Sequence, residues 1–244
     1  MGLRDDKFNE IRNYCIDHAN PANIAKYSRY FTEGYDAYGL GRELEVQAKQ
    51  WHKEWRNEMS LDDFFLLGER LIASGKYEEA SCAVIFMEAS AKKLSAEHFE
   101  RLGAWLENGI ANWAHTDTLC SHVLSRFILK NIKEPEDFKP WVSSPSKWKR
   151  RAVPVSLLAA LNMDFEMDRL LAVVEPLMMD QDVFVQKGEG WFLREAWKKR
   201  PDPVEAFLMK WKDHCGRTII QYAVEKMDKE ARLKFKKAKP VKTV

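Results

Sequence analysis

Residues 61–75, LDDFFLLGERLIASG, and residues 78–94, EEASCAVIFMEASAKKL, decide the fold class. In both, apolar side chains recur three and four positions apart. That spacing puts them on one face of an α-helix, whereas a half-buried strand would alternate every second residue. The same period runs along the rest of the chain, and no alternating run bounded by turn residues interrupts it, so the sequence predicts an all-α protein without a sheet. The helix-start signals agree. Asn20 precedes Pro21, Ser60 stands three residues before Asp63, and Ser95 leads AEHFERL, each an expected N-cap. Roughly a dozen helices are expected. They are separated by short breaks at 34–41 (GYDAYGLG), 74–76 (SGK), 133–137 (KEPED), 143–146 (SSPS) and 200–203 (RPDP), none long enough to be a domain linker.

With 244 residues, 45% of them hydrophobic, the chain can bury a sizeable core. Cys15, Cys82, Cys120 and Cys215 lie far apart and form no C-x-x-C pair, so neither a zinc knuckle nor a redox motif is indicated, and a reducing cytoplasm fits best. The N-terminus, MGLRDDKFNEIRNYC, lacks an apolar h-region, and no later stretch approaches ~18 uninterrupted apolar residues. Secretion and membrane insertion are not expected. Net charge is only +2, yet it is unevenly spread. Residues 1–140 hold 18 basic against 23 acidic side chains, while 141–244 hold 21 against 14. An electropositive second half suits a polyanion-binding face, although the basic end KFKKAKPVK contributes to the same excess.

Tryptophans recur with a spacing. Trp148 and Arg151 form a W-x-x-R unit, Trp191 and Arg194 form another 43 residues later, and Trp113 precedes Trp148 by 35. Intervals of this size suit HEAT-like helix pairs stacked into a curved solenoid, with a globular helical bundle as the rival reading. Either architecture is expected as a single domain over 1–235, followed by a basic tail at 236–244.

Three segments carry residue types with chemical potential. In ENGIANWAHTDTLCSHVL, Trp113 stands four residues before Asp117, so in a continuous helix a ring and a carboxylate share one face. The alternative is that Trp113 anchors the core while Thr116 or Asp117 caps the helix TLCSHVLSRFIL. His115, two positions from either, points elsewhere, and a surface or hydrogen-bonded histidine is expected. In SPSKWKRRAVPVSLL, the cations Lys147, Lys149, Arg150 and Arg151 crowd a helix start that Pro154 restrains, suited either to phosphate contacts or to an ordinary solvated helix end. In DVFVQKGEGWFLREAWKKRPDP, Phe184, Lys187, Trp191, Arg194, Lys198, Lys199 and Arg200 interleave aromatic and basic groups. Gly188 and Gly190, poor helix formers just before Trp191, point to close helix packing. Other features are read as structural. Gly39 and Gly41 fall short of a phosphate-binding glycine motif, Met178 and Met179 are expected to fill core, and Asp62 and Asp63 belong to a helix N-terminus.

Taken in order, YFTEGYDAYGLGRELEVQAKQW (30–51), NWAHTDTL (112–119), WKRRAVPVSLL (148–158) and VFVQKGEGWFLREAWKK (183–199) resemble the HEAT-like alkylpurine DNA glycosylases of the AlkD type. The Q-K-x-x-G-W-x-L-R-E string is the most specific part. The resemblance covers most of the chain and implies a HEAT-like helical-repeat solenoid with a concave basic face. It also implies that Asp117 is the catalytic carboxylate, that Trp113 and Trp191 flank the lesion-bearing nucleotide, and that Arg151 holds the nearby backbone. Arg150, Lys149, Lys187, Phe184 and Arg194 are the further candidate DNA contacts. An N3- or N7-alkylated purine is already cationic and a good leaving group, so the enzyme need only stabilise positive charge developing on the sugar, for which a carboxylate and two π faces suffice. No metal or organic cofactor is required. The chain departs from the family where two adjacent tryptophans and an aspartate are common, carrying Asn112, Trp113 and Ala114 instead, and it adds His115.

The implied function is a monofunctional glycosylase acting on double-stranded DNA that contains alkylated purines and leaving an abasic site. The expected protein is monomeric, cytoplasmic and nucleoid-associated, with no membrane partner. The alternatives are a non-catalytic HEAT-repeat protein that binds damaged or branched DNA, and a protein-interaction scaffold.

Overall fold

The computed structural model describes residues 2–237, whose regular elements are all helices, with no strand among them. Most of the expected 236–244 tail therefore lies outside the described residues. The chain divides into two compact units between Val123 and Leu124. The first holds α1 (Leu3–Asp17), α2 (Pro21–Ser28), α3 (Arg42–Trp55), α4 (Leu61–Ala73), α5 (Tyr77–Ala89), α6 (His98–Asn108) and α7 (Trp113–Leu119). The second holds α8 (Ser125–Leu129), α9 (Lys147–Leu157), α10 (Met167–Val174), α11 (Val183–Lys199), α12 (Pro201–Trp211), α13 (Arg217–Ala223) and α14 (Lys229–Leu233).

Two of the three expected caps form. Asn20 Oδ1 accepts from the backbone of Ala22 and Asn23, with Pro21 in the first turn where its missing N–H is harmless. Ser60 and Asp63 make a reciprocal capping box: Asp63 N–H donates to Ser60 Oγ at 3.1 Å and Ser60 N–H donates to Asp63 Oδ2 at 3.0 Å. Ser95 does not cap a helix. Its backbone N–H donates to His98 Nδ1 and its hydroxyl lies within hydrogen-bond distance of Glu97 Oε1 and His98 Nδ1, and α6 begins two residues later than the sequence suggests. The expected break at 200–203 shrinks to Arg200 alone, which ends α11 and starts α12.

In the first unit α4 packs along α5, burying Phe64, Phe65, Leu67 and Leu71 against Ala83, Val84, Phe86 and Met87. Each such side chain contributes about 1.5–3 kcal/mol by leaving water. Gly68 admits the Trp105 ring of α6, since a Cβ there would lie 2.5 Å from Trp105 Cη2. Arg12 of α1 reaches Glu79 of α5 with two bonds of 2.8 and 3.0 Å, pairing a carboxylate that is fully buried. Its neighbour Glu78, also buried, accepts the backbone N–H groups of Tyr38, Gly39 and Leu40 at 2.8, 2.7 and 3.1 Å. The segment between α2 and α3 is thereby tied to α5. Gly39 is required there: its φ is +86°, and a Cβ would collide with the Asn20 carbonyl.

In the second unit α11 is central, packed on α9, α12 and α13. The close packing expected of its glycines is present. A Cβ on Gly188 would lie 3.2 Å from Arg151 Cγ in α9, and one on Gly190 would lie 2.5 Å from Tyr222 Cβ in α13. Met178 is buried as expected, but Met179 is 51% exposed, because the 3-10 turn Glu175–Met179 places adjacent residues on different sides.

Candidate functional site

Helix α7 starts at the tryptophan itself. Asn112 is its N-cap, accepting from the backbone N–H of His115 at 2.9 Å, so Trp113 opens the first turn and Asp117 lies one turn on along the same face. The reading in which Thr116 or Asp117 caps the helix is overturned, because both lie inside α7. Thr116 is fully buried with its hydroxyl donating to Asn112 O, and Asp117 is partly exposed.

The Trp113 ring is fixed on two sides. Its Nε1–H donates to Tyr30 O at 3.1 Å, and it stacks on Phe31 with centroids 5.7 Å apart and planes 15° from parallel. Phe31 in turn stacks on Tyr35 at 4.6 Å, and Tyr77 meets both edge-on at 5.2 and 5.1 Å. Offset and edge-on rings hold one another by quadrupole attraction as well as by burial.

His115 is buried behind this cluster, parallel to Tyr77 at 4.4 Å. Its nitrogens are satisfied as expected. The Ser81 hydroxyl donates to Tyr77 O, leaving its oxygen to accept from Nε2–H at 2.9 Å, while the Asn112 amide donates to Nδ1 at 2.9 Å. Those partners assign the proton to Nε2. Burial pushes the pKa down to about 4 against an opposing hydrogen bond that the ring donates to the Tyr77 backbone, so the ring is neutral at physiological pH.

A cleft of about 690 Å³ opens beside these rings, walled by residues 27–35, α3, α5 and the start of α7. Trp113, Ala114 and Thr118 line it and Asp117 does not. The sequence reading missed this cleft, although five aromatic residues in the twelve from Tyr27 to Tyr38 were the available signal. The 38–40 backbone N–H groups are occupied by Glu78, which agrees with reading Gly39 and Gly41 as a loop and not as a phosphate cradle.

The second unit holds the remaining candidates. Arg151 is only 6% exposed, lies across Gly188, and donates from Nη1 to Phe184 O at 2.5 Å. Arg150 is gripped by Asp180, at 2.6 Å from Nε and 3.3 Å from Nη2, and by the carbonyls of Ser144 and Pro145. Arg194 meets Glu225 at 2.6 Å and Glu195 at 3.0 Å. Lys149 rests over the Trp141 ring and Lys187 over Phe184, at 5.4 and 5.6 Å. Phe184 also lies 5.0 Å from Trp148, and Trp191 is partly exposed on α11. Arginines already held by carboxylates must exchange those partners to grip a phosphate. None of the four cysteines is joined in a disulfide. Among the described residues no three His, Cys, Asp or Glu side chains converge as metal ligands, and no helix is long and apolar enough to cross a membrane.

A wholly helical chain with a π face and a carboxylate on one short helix falls, on comparison, among proteins of DNA repair. The family model described as DNA alkylation repair enzyme matches residues 11–227, and the chain belongs to that family. The fold is shared with a predicted DNA alkylation repair enzyme from Enterococcus faecalis, with a TM-score of 0.75 at 19% identity over 86% of this chain and 97% of that one. A crystal structure from Streptococcus mutans UA159 aligns with a TM-score of 0.57 at 20% identity, over 84% and 98% of the two chains. No curated protein matches the sequence. Membership gives the protein a role in DNA repair and DNA as its partner.

Proposed function

We propose that the protein is a monofunctional DNA glycosylase that hydrolyses the N-glycosidic bond of cationic N3- or N7-alkylated purines in duplex DNA and leaves an abasic site. The observation that carries this reading is the α7 face: Asn112 supplies the cap, so the Asp117 carboxylate is not required at the helix start and stands one turn from a tryptophan ring held rigid by Phe31 and Tyr30. The bond between sugar and base breaks with its electron pair going to the base, which leaves neutral, while positive charge builds at the sugar C1′. A carboxylate beside that carbon stabilises the charge, and the π face of Trp113 adds to it. Water then adds to C1′ and loses a proton, for which Asp117 is the nearby acceptor in this reading. Trp191 and Arg151 are assigned to the same substrate, as a second π face and a backbone contact. Lys149, Lys187 and, after exchange of their carboxylates, Arg150 and Arg194 are assigned to phosphates.

The test is release of free methylpurine from methylated duplex DNA by the wild type and by Asp117→Asn. Release by the wild type and a loss of at least about 100-fold in the variant is the expected result, the scale of removing one electrostatic stabiliser from an active site. Salt-sensitive DNA binding without base release would replace the enzyme by a DNA-binding protein of the same family. Equal release by both proteins would remove Asp117 from the centre of the reaction.

A further inference from the structure

We propose that the aromatic cleft of the first unit is a docking site for a partner protein, which enters it as an extended segment and is recognised through an arginine side chain. The site does not depend on the glycosylase reading: Asp117 is not among the residues that line it.

The cleft joins the two kinds of group that a guanidinium takes together, π faces and carboxylates. Phe31 lies between Tyr35 and Trp113, and Tyr77 braces Phe31 and Tyr35 edge-on, so the rings are in place before any partner arrives. A stack of three has two outer faces, one on Tyr35 and one on Trp113, and both rings line the cleft. Two further lining rings already carry cations of this chain: Lys26 lies 5.1 Å over Tyr27, and Arg29 lies 4.8 Å over Tyr30. The carboxylates come from two walls. Glu45 of α3 and Glu88 of α5 stand close enough that the Lys49 ammonium feels the charge of both. Each is held through one oxygen, Glu45 Oε1 by Lys49 at 2.6 Å and Glu88 Oε1 by His122 Nδ1 at 3.0 Å. Among the described residues the second oxygen of each has no hydrogen-bond partner. A guanidinium, with five donors in a planar fork, takes such oxygens without displacing a bond already made.

Charge selects a polypeptide over a nucleic acid here. Glu45, Glu78 and Glu88 in the lining oppose a phosphate backbone, and residues 1–140 carry 23 acidic against 18 basic side chains, a field that draws a cationic partner. Size selects an extended segment over a single group. The volume of about 690 Å³ exceeds what one side chain fills, and Leu40, Leu44, Val84 and Ile85 supply apolar surface for the residues flanking the arginine. Because the rings are already stacked, little side-chain entropy is left to lose on docking.

The experiment titrates the full-length protein with a fluorophore-labelled peptide, acetyl-AGRGA-amide, and follows fluorescence anisotropy. The same peptide with lysine in place of arginine keeps the charge without the planar fork, and with citrulline it keeps the plane without the charge. The expected result is saturable binding of the arginine peptide, about tenfold tighter than of either comparison, the scale of a partly desolvated cation–π contact with a charge-assisted bond. Glu45→Gln and Glu88→Gln, which leave every ring in place, should each weaken the arginine peptide by about threefold to fivefold and leave the citrulline peptide unchanged, the scale of a partly exposed ion pair. Tyr35→Leu should weaken the arginine peptide by about fivefold. Absence of saturable binding, equal binding of the three peptides, or no effect of any substitution in a protein with wild-type circular dichroism and melting overturns the proposal. Duplex DNA that competes with the arginine peptide and loses affinity in Tyr35→Leu would give the cleft to nucleic acid, and overturns it as well. Each of these failures leaves base release by Asp117 untouched, and absence of base release leaves the peptide result standing.

Discussion

Asn112 and His115 are joined twice: the Asn112 carboxamide oxygen accepts the His115 backbone N–H, and its nitrogen donates to His115 Nδ1, both at 2.9 Å. One side chain thus caps α7 and fixes the imidazole. Asn112→Ala should destabilise the protein by roughly 1–2 kcal/mol, the loss of a cap and one buried hydrogen bond, read as a lower urea midpoint. Asn112→Asp keeps the capping oxygen but replaces the donor by an acceptor, which favours a proton on Nδ1. The His115 pKa should then rise from about 4, as followed by NMR of the ring protons.

The wild-type His115 makes stability acid-sensitive. Its folded pKa of about 4 lies below the ordinary 6.5, so between those values the unfolded chain binds the extra proton. Stability from this group is complete above pH 6.5 and is lost as pH falls toward 4, by on the order of 3 kcal/mol. Denaturant midpoints measured across that window should fall in the wild type, and the fall should be smaller in Asn112→Asp.

Glu189 works in the opposite direction. It is fully buried on α11, and among the described residues neither carboxyl oxygen has a hydrogen-bond partner. Burial alone holds its pKa well above the usual carboxylate range. From the unfolded value of 4.5 upward, the folded protein keeps a proton the unfolded chain releases, so stability falls as pH rises through that window until the folded pKa is reached. Glu189→Gln should flatten this slope in denaturation between about pH 5 and 8. Glu189→Met, which leaves no buried polar atom there, should stabilise the protein by about 1–3 kcal/mol.

Gly190 sets two effects against each other. Alanine gains about 1 kcal/mol of helix propensity over glycine, but here its Cβ would lie 2.5 Å from Tyr222 Cβ and 2.7 Å from Ile219 O. Backbone cannot yield cheaply, and overpacking typically costs about 1–3 kcal/mol. Gly190→Ala should therefore lower the melting temperature, with the loss of hydrogen-exchange protection concentrated in α11 and α13.

These outcomes show what was legible in the sequence. The helices were, because apolar period and caps such as Asn20 and Ser60 are local. Ser95 misled because a serine before a polar turn resembles a cap whether or not its hydroxyl reaches a backbone N–H, and here Glu97 and His98 take it. The shared face of Trp113 and Asp117 followed from their spacing, but the choice between that face and a cap needed Asn112, whose role depends on where α7 begins. The aromatic cleft was not legible. It joins Phe31, Tyr77 and Trp113, which meet only through the packing of α5 and α7 against the 27–41 segment. Glu189 gave no warning either, since a glutamate in a helix is ordinary until packing on both sides closes it off.

The three N–H groups of residues 38–40 converge on Glu78, so the chain occupies its own anion-binding loop. A tethered carboxylate acts as an inhibitor at permanently high local concentration, and free phosphate cannot compete with it. The consequence is a form of chemical rescue. Glu78→Ala should melt at a lower temperature than the wild type and regain part of the difference on adding phosphate, which should leave the wild type nearly unmoved.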